Sequence, residues 1–275
     1  MGETKREIII SFRAIHRPLN KLFLTLPSGG FFLYTHSLYL RGIINHKSIK
    51  MKNIFYLLTL LICSATIAQN TVYVYNLNVK RGHAADVVKT FSDFAGGEKW
   101  KTGGVMLQSV GFKNDVTHRI VVWGDPENWG IERERSDEEW ALYNARMSKY
   151  TYPNSIDNAM GSIINFSEGD WKKNTSARVY DVRVHEPTKF LSAWNKNVKE
   201  AKKILGDRRI GLVRYEVGGT LGATHGLIVY GKNNNDVQVT LRKIQKTKAF
   251  KEYMSTRGKV DYIQTYTVNT VKRFQ

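Results

Sequence analysis

The sequence is short of the residues that staple or break a chain. One cysteine, Cys63, and five prolines occur among 275 residues. A disulfide framework is therefore excluded, and a thiolate ligand as well if cleavage after Ala68 removes Cys63. With 22 glycines in no fixed period, a collagen-like repeat and a Pro-rich disordered chain are excluded as well. Long apolar runs are also scarce: the largely apolar stretch Ile54 to Ala68 covers 15 residues, short of the ~20 that an untilted helix needs to cross a bilayer. No G-x-S-x-G, H-E-x-x-H or H-x-x-x-H pattern occurs. Acyl transfer through a nucleophile elbow and a helix-borne zinc pair thus have no sequence support.

What is present suits a globular protein: 42% hydrophobic and 24% charged residues can build a sizeable core. The net charge of +18 is unevenly spread. Residues 1–50 carry +6 and Lys52 adds one more; residues 70–171 are net −3, and residues 172–275 are net +14. Much of the excess sits on two prospective helices, at Lys196, Lys199, Lys202 and Lys203 and at Arg242, Lys243, Lys246, Lys248 and Lys251. Such a face attracts an anionic ligand or an acidic envelope component. Without interleaved exposed aromatics it does not read as a nucleic-acid surface, and no nucleic-acid partner is expected.

Residues 51–68 have the layout of a signal peptide. Met51-Lys52-Asn53 precedes the run Ile54 to Ile62, and small residues lead to Ala68 before Gln69. Residues 1–50, ahead of a complete export signal, read as an upstream extension. The expected working protein is exported, periplasmic or secreted, without a stable membrane span, and begins near Gln69, leaving it free of cysteine.

Self-comparison organises the remainder. Val74-Tyr75-Asn76-Leu77-Asn78-Val79 matches Val179-Tyr180-Asp181-Val182-Arg183-Val184, and Thr117-His118-Arg119-Ile120-Val121-Val122-Trp123-Gly124 matches Thr224-His225-Gly226-Leu227-Ile228-Val229-Tyr230-Gly231, at nearly the same offset. The chain reads as a tandem duplication with units at 69–171 and 172–275. In the first, strands are predicted at 72–79, 105–112, 119–124 and 162–166, with helices from Ala84 and from Ser136, where Glu139 completes a capping box. In the second, strands at 177–184, 209–217, 224–230 and 260–271 surround helices from Pro187 to about Leu205 and from about Asp236 to Met254. Each unit is βαββαβ, the order of a ferredoxin-like unit.

Carried on this order and the repeat, the chain from Thr71 to Phe274 resembles the dimeric α/β-barrel superfamily. The resemblance implies an α+β fold in which two ferredoxin-like units pack sheet to sheet. It also implies a range of functions, from cofactor-independent monooxygenases and haem enzymes of the chlorite dismutase kind to binding proteins.

Alternation separates the sheet face under the helices from the bare face. Tyr75, Leu77 and Val79 belong under helices, which places Asn76 and Asn78 opposite, with Asp181 and Arg183 as their counterparts. In the next strands Ser109 and Gly111 are assigned to the bare face, matched by Arg214 and Glu216. Asp181, Arg183, Arg214, Glu216, Asn76 and Asn78 are therefore the candidate ligand-binding set. His118 and His225, at equivalent strand starts, are candidates for a haem ligand or a general base. Trp129, on a loop, is expected to fold over the sheet edge, and Gly218-Gly219 to form a hairpin turn.

The leading expectation is an exported binding or structural module without a cofactor, able to form a homo-oligomer. The alternative is a barrel enzyme, either a cofactor-independent monooxygenase or a haem oxidoreductase. N-terminal sequencing of the natural protein is expected to read Gln69 or Asn70, and an intact Met1 would overturn the export reading.

Overall fold

The structure is a computed structural model and describes residues 70–153 and 157–275. The expectations for residues 1–68 lie outside the described residues. Eight strands and, among the described residues, five α-helices follow one another. They are β1 (Thr71–Leu77), α1 (Ala84–Ala95), β2 (Gly104–Gly111), β3 (His118–Gly124), α2 (Asp137–Tyr150), β4 (Ala159–Phe166), β5 (Ser176–Val184), α3 (Pro187–Leu205), β6 (Ile210–Gly218), β7 (His225–Gly231), α4 (Asn234–Gln245), α5 (Lys248–Thr256) and β8 (Val260–Phe274). None of the described helices is long and apolar enough to cross a membrane.

Local chemistry accounts for the helix ends. Ser136 caps α2 through the expected box, accepting from the Glu139 N–H while the Glu139 carboxylate accepts from the Ser136 N–H. Pro187 opens α3, where its missing N–H costs nothing, and Gly206 ends it at φ 60°. The one helix expected from about Asp236 to Met254 is two. Thr247 accepts from the Phe250 N–H and restarts the chain as α5, a cap that interrupts an otherwise continuous apolar stripe.

All the strand pairs are antiparallel, and the sheet order is β1-β3-β2-β8-β5-β7-β6-β4, with β4 returning to β1. The sequence places two sheets face to face. The structure adds that their edges pair, β2 with β8 and β4 with β6, so that one closed barrel results. Irregular register near Leu107/Gln108, Met160/Gly161, Ile163/Asn165 and Asp181/Val182 bends the strands involved, as closure requires. Gly161 lies where β4 crosses β6: a Cβ there would stand 2.0 Å from the Arg214 carbonyl oxygen. Only glycine allows that approach.

Helices cover the outside. Phe91, Leu107, Ile120 and Tyr143 fill the layer beneath α1 and α2, and Phe190, Trp194, Leu212, Leu227 and Tyr253 the layer beneath α3, α4 and α5. The opposite strand faces meet inside the barrel, where Val72, Met106, Val121 and Val213 form one apolar cluster and Ala177, Val179, Tyr230, Tyr266 and Val268 another. Strands such as β3 are therefore buried on both faces. Leu212 is 1% exposed. Leu212→Ala is expected to lower unfolding free energy by about 2–5 kcal/mol, read by urea denaturation; a loss within error of zero would contradict this packing.

Candidate active site at the polar end of the barrel

Polar residues gather at one end of the interior, where β1 and β5 finish, β3 and β8 begin, and the β6–β7 hairpin turns. Arg119, on the inner face of β3, is 4% exposed. Its Nε donates to Gln108 Oε1 at 2.7 Å and its Nη1 to the Tyr266 hydroxyl at 3.1 Å. Gln108, fully buried, passes the network on to Thr270 Oγ1 at 3.2 Å. Asp181 is 1% exposed and accepts 2.6 Å hydrogen bonds from the Tyr215 hydroxyl and from Thr220 Oγ1. Lys113 Nζ pairs with Asp157 at 3.3 Å, reaches Thr220 Oγ1 at 3.3 Å and lies 4.8 Å from the Tyr266 ring centroid. Asn76 completes the wall, its Nδ2 donating to the Asp157 carbonyl at 2.8 Å.

These groups surround a cavity of about 20 Å³ whose lining includes Asn76, Lys113, Arg119, Asp157, Asp181 and Tyr215. That is room for about one water molecule. Two cations and two carboxylates converge on it. Of these four, Lys113 and Asp157 touch as an ion pair, while Arg119 and Asp181 are each held by neutral hydroxyl or amide groups. Burial, then Tyr266 and the Asp181 carboxylate, push the Tyr215 phenol well above its ordinary range. Burial likewise raises Tyr266. Both phenols remain proton donors at neutral pH, and the combination of a dry cation with a dry carboxylate can hold an anion and accept a proton.

The structure brings only part of the expected set to this place. Asp181 and Asn76 line it. Asn78 follows β1, where its carbonyl accepts from the Tyr152 N–H, and Arg183 is exposed, its Nε donating to the Gly222 carbonyl at 2.8 Å. Arg214 and Glu216 are exposed outside the barrel and pair with each other at 2.8 Å. The face assigned to β2 and β6 is thus reversed: Gln108, Val110, Val213 and Tyr215 point inward. Closure dries the inner face as thoroughly as the helix-covered one, so polarity no longer marks the bare side. Arg119, Lys113, Tyr215, Thr220 and Tyr266 were missed. The one available signal was Arg119 itself, an arginine directly preceding the apolar run Ile120 to Trp123.

The two histidines lie on the outer face, in matching clasps. Thr117 Oγ1 accepts from the Val79 N–H at 2.8 Å and contacts His118 Nδ1 at 3.1 Å. Thr224 Oγ1 accepts from the Val184 N–H at 2.9 Å and contacts His225 Nδ1 at 2.9 Å. The Phe190 ring, 1% exposed, stands 5.9 Å from the His225 ring. A macrocycle would need that space, so His225 in this packed layer does not fit a haem ligand. His118, 9% exposed and tied to Thr117, faces the same kind of layer. The described residues contain no cluster of three or more His, Cys, Asp or Glu able to hold a metal. Trp129 packs edge-on against Tyr73 of β1 with centroids 4.9 Å apart; β1 is paired on both sides, so the contact is with a sheet face and not the expected edge.

No family model matches the sequence, and no curated protein matches it. Among solved structures, a "putative monooxygenase" of Fusobacterium nucleatum is similar with TM-score 0.50 and 12% identity, covering 75% of this chain and 94% of that one. A protein with the same description from Lactobacillus acidophilus has TM-score 0.49 and 12% identity over 74% of this chain and 95% of its own. A mutant chlorite dismutase from Candidatus Nitrospira defluvii has TM-score 0.44 and 9% identity over 74% and 92%. The chain shares the fold of the first of these proteins. At this identity the likeness concerns the fold alone.

Burial, followed by the Arg214 charge, lowers His225 from 6.5 to about 4, and burial lowers His118 in the same direction. The folded chain refuses a proton that the unfolded chain accepts, so the stability these groups contribute is complete above pH 6.5 and is lost as pH falls toward 4. His225→Gln is expected to flatten the pH dependence of the melting temperature in that window. An unchanged slope would contradict the assignment.

Proposed function

We propose that the chain is an enzyme of the dimeric α/β-barrel kind: an oxygenase working without a prosthetic group on a small, ionisable, hydroxylated aromatic substrate at the polar end of the barrel. The observation that carries the reading is the buried Arg119, without a carboxylate partner among the described residues, lining the same cavity as the buried Asp181 carboxylate. Asp181 is assigned the role of general base, and Arg119 with the Tyr266 hydroxyl holds the resulting substrate anion. That anion is electron-rich enough to reduce dioxygen directly. Conversion of a substrate CH₂ and O₂ to a carbonyl and water balances without an outside reductant. Entry requires the Gly218–Gly222 hairpin to lift, because Thr220 at its tip is hydrogen-bonded to Asp181. The description of the Fusobacterium nucleatum protein as a "putative monooxygenase" is consistent with this reaction class.

The competing reading is a binding or structural module for a small or anionic ligand, favoured by the small cavity and its satisfied hydroxyls. Either form is proposed to be exported through residues 51–68 and to assemble with copies of itself. The strand orders β4-β1-β3-β2 and β8-β5-β7-β6 and the two Thr-His clasps support an origin in two ferredoxin-like units, 69–171 and 172–275.

Oxygen uptake over a panel of phenols and hydroxyanthrones tests the enzyme. Turnover by the wild type is expected, with kcat/KM about 10²-fold lower or less for Asp181→Asn and similarly reduced for Arg119→Met, while circular dichroism stays native. No uptake with any substrate, or full rate in Asp181→Asn, would leave the module.

A further inference from the structure

The opposite end of the barrel carries a different arrangement. There β3 and β4 finish, β6 begins and β8 ends, and the loop between β4 and β5 lays Trp171 across the opening. Arg209, just before β6, places its guanidinium carbon 3.7 Å from the Trp171 ring centroid and 4.9 Å from that of Phe166. Arg273, near the end of β8, stands 4.5 Å from the Trp171 centroid and 5.2 Å from that of Trp123. The two tryptophan rings are nearly parallel, 19° apart, with centroids separated by 6.5 Å. Two cations therefore share one aromatic wall.

Neither is neutralised. Among the described residues no carboxylate approaches either guanidinium within 4.0 Å, although Arg208, the neighbour of Arg209 in sequence, pairs with Asp236 through both Nε and Nη2. Arg273 Nη2 donates to the Gln275 side chain, and Glu168 exerts only a longer-range attraction on Arg209. The Nε atoms of Arg209 and Arg273 are both buried without an acceptor. Both residues are partly exposed. Burial first, and the Arg273 charge among the other causes, bring Arg209 down to about 10; burial lowers Arg273 as well.

Stacking on tryptophan offsets part of the cost of desolvating a guanidinium, but it supplies no acceptor for a buried N–H and does not remove the repulsion between two neighbouring cations. A doubly charged tetrahedral oxyanion on the partly exposed side of the two guanidiniums offsets that repulsion. Its oxygens match the planar donor fork of each arginine, and its charge balances the pair. We infer that the Trp171 end of the barrel is a binding site for a phosphoryl dianion, held between Arg209 and Arg273 against the wall formed by Trp123 and Trp171. The site is independent of the catalytic reading at the other end. It takes either free phosphate or the phosphate of a monoester whose organic part rests on the tryptophans.

Titration calorimetry and thermal melting of the wild-type protein with inorganic phosphate, and separately with phenyl phosphate, test this against sodium chloride of equal ionic strength. One phosphate per chain and a rise in melting temperature beyond the chloride control are expected. Arg209→Gln and Arg273→Gln are each expected to weaken binding about tenfold or more. Much tighter binding of phenyl phosphate identifies an ester as the source, and equal affinity identifies free phosphate. A melting temperature that ignores both anions at millimolar concentration, or unchanged affinity in both variants, overturns the site. The wild-type comparison decides even if a variant fails to fold.

Discussion

Closure of the sheet is the constraint on which the rest of this structure depends. A four-stranded antiparallel sheet covered by helices on one side has two raw edges and a bare face. Here β2 pairs with β8 and β4 with β6, so the edges disappear and the bare faces turn inward. Backbone groups that would otherwise need water or a partner chain are satisfied within one molecule. The interior becomes a second dry core beside the layers under the helices.

A dry interior segregates polar groups. In the middle of the barrel Val72, Met106, Val121 and Val213 pack together in one cluster and Val179 with Val268 in another, and charge is displaced to the two ends. At one end cations and carboxylates occur together and are linked through tyrosine, threonine and glutamine. At the other, cations occur without carboxylates and lie against tryptophan. The contrast follows from what each end can offer: Tyr215, Thr220 and Tyr266 supply hydroxyls to the first, whereas Trp123, Trp171 and Phe166 supply chiefly ring faces to the second. A buried charge needs compensation from one source or the other.

The outer face solves a different problem twice. Thr117 and Thr224 each close the gap between the end of a first strand and the start of a third, and each places a histidine beneath the helices. Equal placement of His118 and His225 invited a functional reading from sequence, yet the hydroxyl contacts and the nearby Phe190 give the imidazoles packing duties. Repetition preserved a local hydrogen-bonding device. The chemistry proposed for the barrel interior depends on residues that differ between the halves: Asp181 matches Asn76, and Arg119 matches Gly226.

The order and nearly all the boundaries of the secondary structure were legible from local patterns in the chain. Periods of two and 3.6, the Ser136 box, Pro187 and the glycine turns are local signals, and they act over a few residues wherever the chain goes. Thr247 shows their limit, since a cap inside an apolar stripe splits a helix without changing its period. Tertiary structure alone decided which strand faces became interior. That choice depends on partners far apart in the chain, and once both faces are dry, a buried arginine such as Arg119 looks the same from sequence as an exposed one such as Arg214. Only the pairing of distant strand edges separates them.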